Sequence, residues 1–504
     1  MNDLLPFLPG RLDQVFDGIT YFMPEIYLSA LFVVVLVTDL LFGKTSSWMC
    51  RIAACAGMVL VIFKDLEQLH LIITGGPHLF FSEMLLLRQT SLVFKLIIDV
   101  LSFILLLYFE WDDELSSHRK GLSDLYSITI AAVFGLHIMV MASNLLSIYL
   151  AIEMVSIASY LMVAYRSENS FSSEAGLKYV LFGAASSAIM LYGISLLYGF
   201  GGTLNLFTGN LLPGLLSANP IAVSFAMVLF FAGIGFKLSF IPMHFWVPDI
   251  YQGAPTPVTA FLSTVSKIAA FGLVINFLAP IIYYPKRIPF DIGLFLSVIG
   301  IITMIAGNFA ATLQNNIKRM LAYSSIGHTG FALMSVVVFN NSGNVATLPP
   351  LTFYLFAYAL ANIGALMLAS YFVNTANAED MNSYKGLGLK YPVAGVCFVI
   401  ILISLTGLPI TAGFNGKLLV FSSVYSLYQQ NHDIWLLLLM ITGALTTVVS
   451  LFYYIRIPLN LFLRKPEKAA DFPPSSPFLL VVSAIIALFL ILLGIFPNFL
   501  LNFM

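Results

Sequence analysis

The chain has 504 residues, of which 60% are hydrophobic and only 9% are charged, whereas about 25% of residues are charged in an average soluble domain. This composition excludes a soluble globular protein and predicts an all-α polytopic membrane protein. The formal net charge of −1 gives no basis for nucleic-acid binding, and three cysteines cannot supply the four ligands of an iron–sulfur cluster.

Hydrophobic stretches long enough to span a bilayer recur along the whole chain. We predict fourteen spans, at 22–42, 49–72, 90–109, 125–142, 144–165, 175–199, 219–251, 256–280, 290–312, 319–339, 350–373, 391–428, 434–462 and 476–500. The second span is the least regular, because Lys64, Asp65 and Glu67 interrupt its far end.

The connections between these spans carry unequal numbers of lysines and arginines. Twelve lie on one side, namely Lys44, Arg51, Arg119, Lys120, Arg166, Lys318, Arg319, Lys385, Lys390, Arg464, Lys465 and Lys468, and five lie on the other, namely Arg11, Lys64, Arg88, Lys286 and Arg287. Positively charged connections stay on the cytoplasmic side of a membrane. We therefore expect the first side to face the cytoplasm, or the matrix or stroma of an organelle, with both termini on the opposite side. The fourteen spans favour a bacterial inner membrane with periplasmic termini over an organellar one.

Glu153 lies in the middle of the fifth span, in SIYLAIEMVSIASYL. A carboxylate at this depth must be protonated or paired, so we expect either a structural salt bridge between helices or a charge partner for a buried base. Lys178 lies one turn inside the sixth span, where a lysine can also extend to the interface along its aliphatic stem.

Two of the predicted spans are too long for a plain helix and contain helix breakers. Residues 219–251 place Lys237 just before Pro242, in GIGFKLSFIPMHFWVPDIYQG, and residues 391–428 place Lys417 just after the breakers of SLTGLPITAGFNGK. Interrupted helices at membrane depth line protein-enclosed or water-filled pathways for ions and protons. Because a charge at this depth costs about 2.5–3.5 kcal/mol on insertion scales, each lysine indicates a buried polar site.

We predict that Lys237 and Lys417 gain and lose protons. Removal from water favours the neutral form of an amine, and a nearby carboxylate favours the charged form. The alternative is a lysine whose ammonium reaches the interface. Lys267, about halfway through the eighth span, is predicted to relay protons between the other two lysines.

Three histidines lie in or beside the spans. His328, in AYSSIGHTGF, can carry protons between Lys267 and Lys417, and a hydrogen-bonded core histidine is the alternative. His244 follows the first helix break and either bonds the freed backbone or joins the proton path. His137 is predicted to be a core residue, with haem ligation by His137 and His328 as a weaker alternative.

The two interrupted spans are about 180 residues apart, which suggests an internal repeat of five spans. The run KLSFIPMHFWVPDIYQGAPTPVTAFLSTVSK, together with YLAIEMVSIASYLMVAYR, NIKRMLAYSSIGHTGF and GLPITAGFNGK, resembles the antiporter-like membrane subunits of respiratory complex I. The resemblance covers roughly residues 90 to 500. Lys417 favours the ND2-type subunits, because the ND4-type is expected to carry glutamate at this place.

The resemblance implies about fourteen transmembrane helices with two inverted five-helix repeats, each containing one broken helix. The implied regions are N-terminal helices (1–124), a first repeat (125–280), a second repeat (290–462), and a C-terminal loop with the last helix (463–504). It also implies a proton relay built from Glu153, Lys178, Lys237, Lys267, His328 and Lys417, with Glu153 and Lys178 acting on Lys237.

The function implied by the resemblance is proton translocation driven by quinone reduction in other subunits. NADH, FMN, iron–sulfur clusters and quinone are then expected in those subunits, with no cofactor or metal in this chain. The expected partners are ND4-type and small ND4L- and ND6-type membrane subunits. Two alternatives stay open, namely a subunit of a multi-subunit cation/proton antiporter and a structural spacer for a pumping neighbour.

Overall fold

The computed structural model of the chain describes residues 15–42, 47–118, 121–207, 209, 211–284, 286–465 and 477–503. Parts of the predicted end regions 1–124 and 463–504 lie outside these residues. So do five of the basic residues in the predicted charge bias, namely Arg11, Lys44, Arg119, Lys120 and Lys468.

Helices account for almost all of the described chain. They are α1 (Met23–Phe42), α2 (Ser47–Gly75), α3 (Gln89–Trp111), α4 (Asp113–Ser116), α5 (Ser123–Met141), α6 (Leu145–Val163), α7 (Ser170–Gly201), α8 (Leu211–Ser217), α9 (Pro220–Leu238), α10 (Trp246–Gly253), α11 (Thr256–Ser263), α12 (Val265–Tyr283), α13 (Ile292–Thr312), α14 (Ile317–Ser342), α15 (Pro349–Ala376), α16 (Leu387–Lys390), α17 (Pro392–Thr406), α18 (Ala412–Asn431), α19 (Ile434–Pro458), α20 (Pro477–Ile495) and α21 (Asn498–Leu501).

Twelve helical segments of the described residues are long and apolar enough to cross a membrane. Two predicted spans are not among these twelve segments. The predicted span 49–72 corresponds to α2, which carries charged residues, and the predicted span 391–428 is divided into α17 and α18. The all-α membrane fold is therefore confirmed, whereas the number fourteen stays a prediction.

Both helix interruptions that the sequence predicts are present. Helix α9 ends at Leu238, where Ser239 adopts a left-handed backbone with φ 60°, and the chain becomes helical again at α10. Helix α17 ends at Thr406, followed by Gly407 with φ 82°, and α18 begins at Ala412. The predicted repeats 125–280 and 290–462 each contain one of these interruptions, and their boundaries remain a prediction.

A third interruption separates α11 from α12 and was not predicted. Thr264 leaves the helical conformation, with φ −123° and ψ −78°. Its hydroxyl donates to the Ala260 carbonyl at 2.6 Å, and the Asn362 side chain donates to Ser263 Oγ at 2.7 Å. These bonds satisfy polar groups at the break, which buried backbone requires.

The centre of the bundle is formed by α11–α12, α14 and α15. In the most apolar 18-residue stretch of each of these segments, 89% to 100% of the residues are buried. In α1 and α19 the corresponding share is 22% to 28%. A helix that is apolar on all sides is stable only when neighbours surround it. Side chains on α12 and α14 therefore lie far from the outer surface of the bundle.

Helices α13 and α14 pack closely because glycines face each other. A Cβ on Gly307 would lie 2.5 Å from the Gly327 backbone nitrogen, and one on Gly330 would lie 2.7 Å from the Met304 nitrogen. Small residues allow helix backbones to approach in membranes, where van der Waals packing drives association.

A short hairpin covers one end of the N-terminal helices. Its strands β1 (His78–Phe80) and β2 (Leu85–Leu87) are antiparallel, with His78 opposite Leu87. The hairpin packs on α3 and α5, and the Tyr21 ring stacks on His78 at 4.1 Å between centroids. This hairpin was not predicted.

Replacing Gly307 by alanine should destabilise the bundle, because the new methyl group meets backbone that cannot move aside. Overpacking of this kind costs about 1–3 kcal/mol. The midpoint of thermal unfolding of the purified chain in detergent should fall. Gly199→Ala is the matched control, since nothing lies within 4 Å of its Cβ position. Equal midpoints for the two variants would contradict the close packing of α13 on α14.

Candidate functional site

Lys237 lies in the last turn of α9, immediately before the first helix interruption, and is only 3% exposed. Its Nζ has no hydrogen-bond partner among the described residues. Glu153 is its predicted charge partner, and no ion pair joins the two groups in the described part of the chain. An uncompensated buried charge costs several kcal/mol, and control of the charge state of Lys237 by Glu153 stays a prediction.

Glu153 lies on α6 and is partly buried. It accepts a short hydrogen bond from the Ser187 hydroxyl of α7. Leu150 and Ile157, one turn away on either side, are exposed. Glu153 therefore lies at the edge of the outer face of α6.

Lys178 belongs to a different ion-pair network. Its Nζ lies 2.8 Å from Glu174 Oε1 and 3.0 Å from Asp249 Oδ2, and its side chain is 38% exposed. Asp249 also pairs with Arg319 at 2.7 Å. These pairs tie α7, α10 and α14 together at one end of the bundle. The predicted effect of Lys178 on Lys237 stays a prediction.

Lys267 lies three residues after the interruption at Thr264 and is 2% exposed. Its Nζ donates to the Ser325 carbonyl at 3.0 Å, to Ser325 Oγ at 2.7 Å and to Thr329 Oγ1 at 3.0 Å. An ammonium has three donors, and all three are matched by neutral oxygens of α14. Lys267 is thus buried with hydrogen-bond partners that carry no counter-charge.

Thr329 joins the Lys267 site to the end of α9. Its hydroxyl accepts from Lys267 and can donate to the Leu238 carbonyl at 3.0 Å, and Leu238 is the residue after Lys237. A hydroxyl can both accept and donate a proton. The side chain therefore bridges the regions that hold the two predicted lysines.

His328 is 8% exposed and lies between two tyrosines. Its Nδ1 lies 2.7 Å from the Tyr354 hydroxyl, and its Nε2 lies 3.3 Å from the Tyr454 hydroxyl. Tyr454 in turn forms a short hydrogen bond with Ser324. Both ring nitrogens thus face groups that can donate or accept, as a proton carrier requires.

Lys417 is held by the second helix interruption. Its Nζ donates to the carbonyl of Thr406, the last residue of α17, at 2.8 Å and lies 5.5 Å from the centroid of the Phe331 ring. The carbonyl end of a helix carries partial negative charge, which stabilises an ammonium. A small cavity is lined by both His328 and Lys417.

His244 lies in the turn between α9 and α10 and is partly exposed. Its Nδ1 lies 3.3 Å from the Pro242 carbonyl. This contact agrees with the predicted alternative that His244 bonds the backbone freed by the break. A part in the proton path stays a prediction.

Sequence reasoning missed the neutral partners of the charged residues. Ser325 and Thr329 hold Lys267, whereas Tyr354 and Tyr454 hold His328. The available signal was the run SSIGHT in α14, where several hydroxyl residues surround one histidine inside an apolar helix. The two tyrosines come from other helices, and their proximity depends on tertiary packing.

Comparison with known proteins gives consistent matches along most of the chain. Residues 142–447 match the family described as NADH:quinone oxidoreductase/Mrp antiporter, TM. The chain is 38% identical over 459 residues to NADH-quinone oxidoreductase subunit N 2 of Chloroherpeton thalassium, covering 90% of this chain and 87% of that protein.

Solved structures share the fold. A chain of respiratory complex I from Thermus thermophilus with bound aureothin has a TM-score of 0.77 and 27% identity, covering 95% of this chain and 98% of that chain. A chain of the Mrp complex from Dietzia sp. DQ12-45-1b has a TM-score of 0.78 and 16% identity, covering 95% of each. The second similarity concerns the fold alone.

Gly407→Ala should be more harmful than an alanine at an ordinary helix end. Its φ of 82° is left-handed, and a Cβ would lie 2.6 Å from Lys417 Cδ. The backbone strain costs about 1–2 kcal/mol, and displacement of the lysine adds to it.

The matched control is Gly202→Ala, which has φ 65° and nothing within 4 Å of its Cβ position. The midpoint of thermal unfolding should fall further for Gly407→Ala than for this control. Equal shifts would mean that Gly407 does not confine Lys417.

Proposed function

Since the chain belongs to the NADH:quinone oxidoreductase/Mrp antiporter family of membrane subunits, we propose that it translocates protons as one membrane subunit of an NADH:quinone oxidoreductase. The observation that carries this proposal is the burial of Lys267 between Ser325 and Thr329, next to the interrupted helix of Lys237. An amine with neutral partners can change its charge without leaving an unpaired counter-ion behind.

The proposed relay runs along α14. A proton reaches Lys237, whose charge state responds to Glu153, and passes through water to the Thr329 hydroxyl, which contacts Lys267. From Lys267 it continues through water to His328 and then to Lys417. Ser325 contacts Lys267, and Ser324 contacts Tyr454, the partner of His328, so both ends of the middle step lie on α14.

The relay needs an external drive. Moving one charge against 100 mV costs about 2.3 kcal/mol, and the chain itself offers no redox step in this proposal. Glu153 lies at the outer edge of α6, where a neighbouring subunit can reach it. A displacement of charged groups in that neighbour, powered by quinone reduction, would then change the charge of Lys237.

The remaining parts of the enzyme belong to other subunits in this account. NADH, FMN, the iron–sulfur clusters and quinone are bound elsewhere in the complex, and the partners are ND4-type and small ND4L- and ND6-type membrane subunits. The chain lies in a bacterial inner membrane, with both termini in the periplasm according to the charge bias of its connections.

A subunit of a multi-subunit cation/proton antiporter is the second candidate. The Mrp chain shares the fold at 16% identity, whereas the identity to an NADH-quinone oxidoreductase subunit is 38%, which favours the first candidate. Purification from the native membrane separates them. Partners that carry flavin and iron–sulfur clusters support the oxidoreductase, and a complex without them supports the antiporter.

A structural spacer is the third candidate. Each buried lysine costs about 2.5–3.5 kcal/mol on insertion scales, and a purely structural role does not require a buried charge. Lysine variants that assemble but pump fewer protons argue against this reading.

Lys237→Ala should lower quinone-coupled proton pumping in proteoliposomes while the complex still assembles, because the first amine of the relay is gone. Lys64→Ala is the control, since Lys64 lies outside the proposed relay, where it pairs with Glu67 and lies over the Tyr27 ring. Proton pumping by the Lys237→Ala complex at the wild-type rate, with normal assembly, would contradict the proposed relay.

Thr329→Val should slow pumping while preserving side-chain shape. Loss of a hydrogen bond to a charged group costs about 1.5–3 kcal/mol, which corresponds to roughly 10- to 150-fold if it adds to the barrier. Thr38→Val is the matched control, because the Thr38 hydroxyl bonds only within α1 at an exposed position. Pumping equal to that of the control would remove Thr329 from the route.

A further inference from the structure

Five ionisable side chains meet in the N-terminal helices, apart from the residues of the proposed relay. Helix α1 contributes Glu25, α2 contributes Asp65, α3 contributes Lys95 and Asp99, and α5 contributes His137. All five are 0% exposed. We call this set the N-terminal cluster. His137 is buried, as the sequence predicts, but it lies among charges rather than among apolar residues.

Lys95 joins three of the helices. Its Nζ lies 2.7 Å from Glu25 Oε1 and 2.6 Å from Asp65 Oδ1, and it donates to Gln68 Oε1 at 3.1 Å. The ammonium therefore occupies the space between two carboxylates. An arrangement of this kind is stable only when the charges on both sides are matched.

His137 lies between two carboxylate oxygens, one of which, Glu25 Oε1, also contacts Lys95. Its Nδ1 is 3.0 Å from Glu25 Oε1 and its Nε2 is 2.8 Å from Asp99 Oδ1. An ionised carboxylate can only accept hydrogen bonds. Both ring nitrogens must then carry a proton, which makes the ring an imidazolium when its neighbours are ionised.

The charges of the cluster do not balance without one further proton. Three carboxylates give three negative charges against the two positive charges of Lys95 and His137. Asp65 Oδ2 and Asp99 Oδ1 lie 4.0 Å and 2.8 Å from the same nitrogen, His137 Nε2, so the two carboxylates are neighbours. Four carboxylate oxygens of the cluster are buried with no hydrogen-bond partner among the described residues, namely Glu25 Oε2, Asp65 Oδ1, Asp65 Oδ2 and Asp99 Oδ2. Two adjacent carboxylates cannot both ionise cheaply, so they hold a proton between them.

We propose that the N-terminal cluster is a second proton-binding site, in which Asp65 and Asp99 share one exchangeable proton. Binding takes a proton from water and converts the cluster from one net negative charge to neutral, and release returns the proton to water. The bound proton supplies a donor between one orphan oxygen of Asp65 and one of Asp99.

The cluster extends inward from one end of its helices. Glu25 is the third residue of α1, and His137 is four residues from the end of α5, or about 6 Å at 1.5 Å per residue. Asp65 and Asp99 lie deeper, each ten residues from the same end of α2 and α3, or about 15 Å at the same rise. The hairpin of β1 and β2 covers this end. Gln68 connects Lys95 to the Tyr21 carbonyl at 2.9 Å, and the Tyr21 ring stacks on His78 of the hairpin.

Lys267, on the neighbouring helix α12, adds no charge to this cluster. That helix packs on α3 and α5, and its Lys267 donates to Ser325 and Thr329 of α14 instead. Among the described residues, the charged groups in ion-pair contact within the cluster are Glu25, Asp65, Lys95, Asp99 and His137.

A small metal cation is the competing ligand, since one atom each of Glu25, Asp65 and His137 lies within 4.8 Å of the others. The Lys95 ammonium already stands between Glu25 and Asp65, where such an ion would bind. The proton is the ligand that fits beside this ammonium.

Infrared spectroscopy of the purified complex tests the proposal. Wild type should show the carbonyl band of a buried protonated carboxyl group, shifted in heavy water. Asp65→Asn and Asp99→Asn should each remove that band and still assemble, because the amide keeps the shape of the protonated acid and leaves the cluster neutral. Asp291→Asn, at an exposed helix N-cap, should leave the band unchanged.

The proposal is overturned if the band is missing from wild type or persists in both variants. It is also overturned if both variants fail to assemble, because neutral replacements should be tolerated. A band that responds to sodium concentration at constant pH would identify a cation site and exclude the proton. These outcomes are independent of pumping through Lys237 and Lys417.

Discussion

Burial of amines at membrane depth is the constraint on which the rest of the architecture depends, and Lys237, Lys267 and Lys417 each lie beside a helix interruption. Lys417 donates to the carbonyl that ends α17, a group that an unbroken helix would have paired internally. Lys237 precedes the left-handed Ser239, and Lys267 follows the break at Thr264. Because a charge at bilayer depth costs a few kcal/mol, a buried lysine is expected beside a helix break, where backbone polar groups are left unpaired. The most buried helices, α12, α14 and α15, then keep these sites away from lipid.

The molecule uses two ways to hold charge in its interior. In the relay, Lys267 is surrounded by hydroxyl and carbonyl oxygens, so a change of its charge leaves no counter-ion uncompensated. In the N-terminal cluster, Lys95 and His137 are matched against carboxylates, and one proton closes the balance. The first arrangement suits proton transfer along a route, and the second suits proton storage at one place.

The sequence predicted the features that depend on local chemistry. The breaks near Pro242 and Gly407 follow from residues that cannot continue a helix, and the lysines beside them follow from the cost of buried charge. The break at Thr264 has no proline or glycine to indicate it. The N-terminal cluster was missed because its members are spread over 112 residues, from Glu25 to His137. On each helix alone they resemble interfacial charges, and only packing brings them together.

The central claim is that protons pass through the chain along α14, from Lys237 by way of Lys267 and His328 to Lys417. A cryo-electron-microscopy map of the assembled complex, at a resolution that places water molecules, tests it most directly. The account predicts an unbroken series of waters and hydroxyl groups, each within hydrogen-bonding distance of the next, between these four side chains. A dry apolar gap between any two of them, present in every state of the complex during turnover, would contradict it.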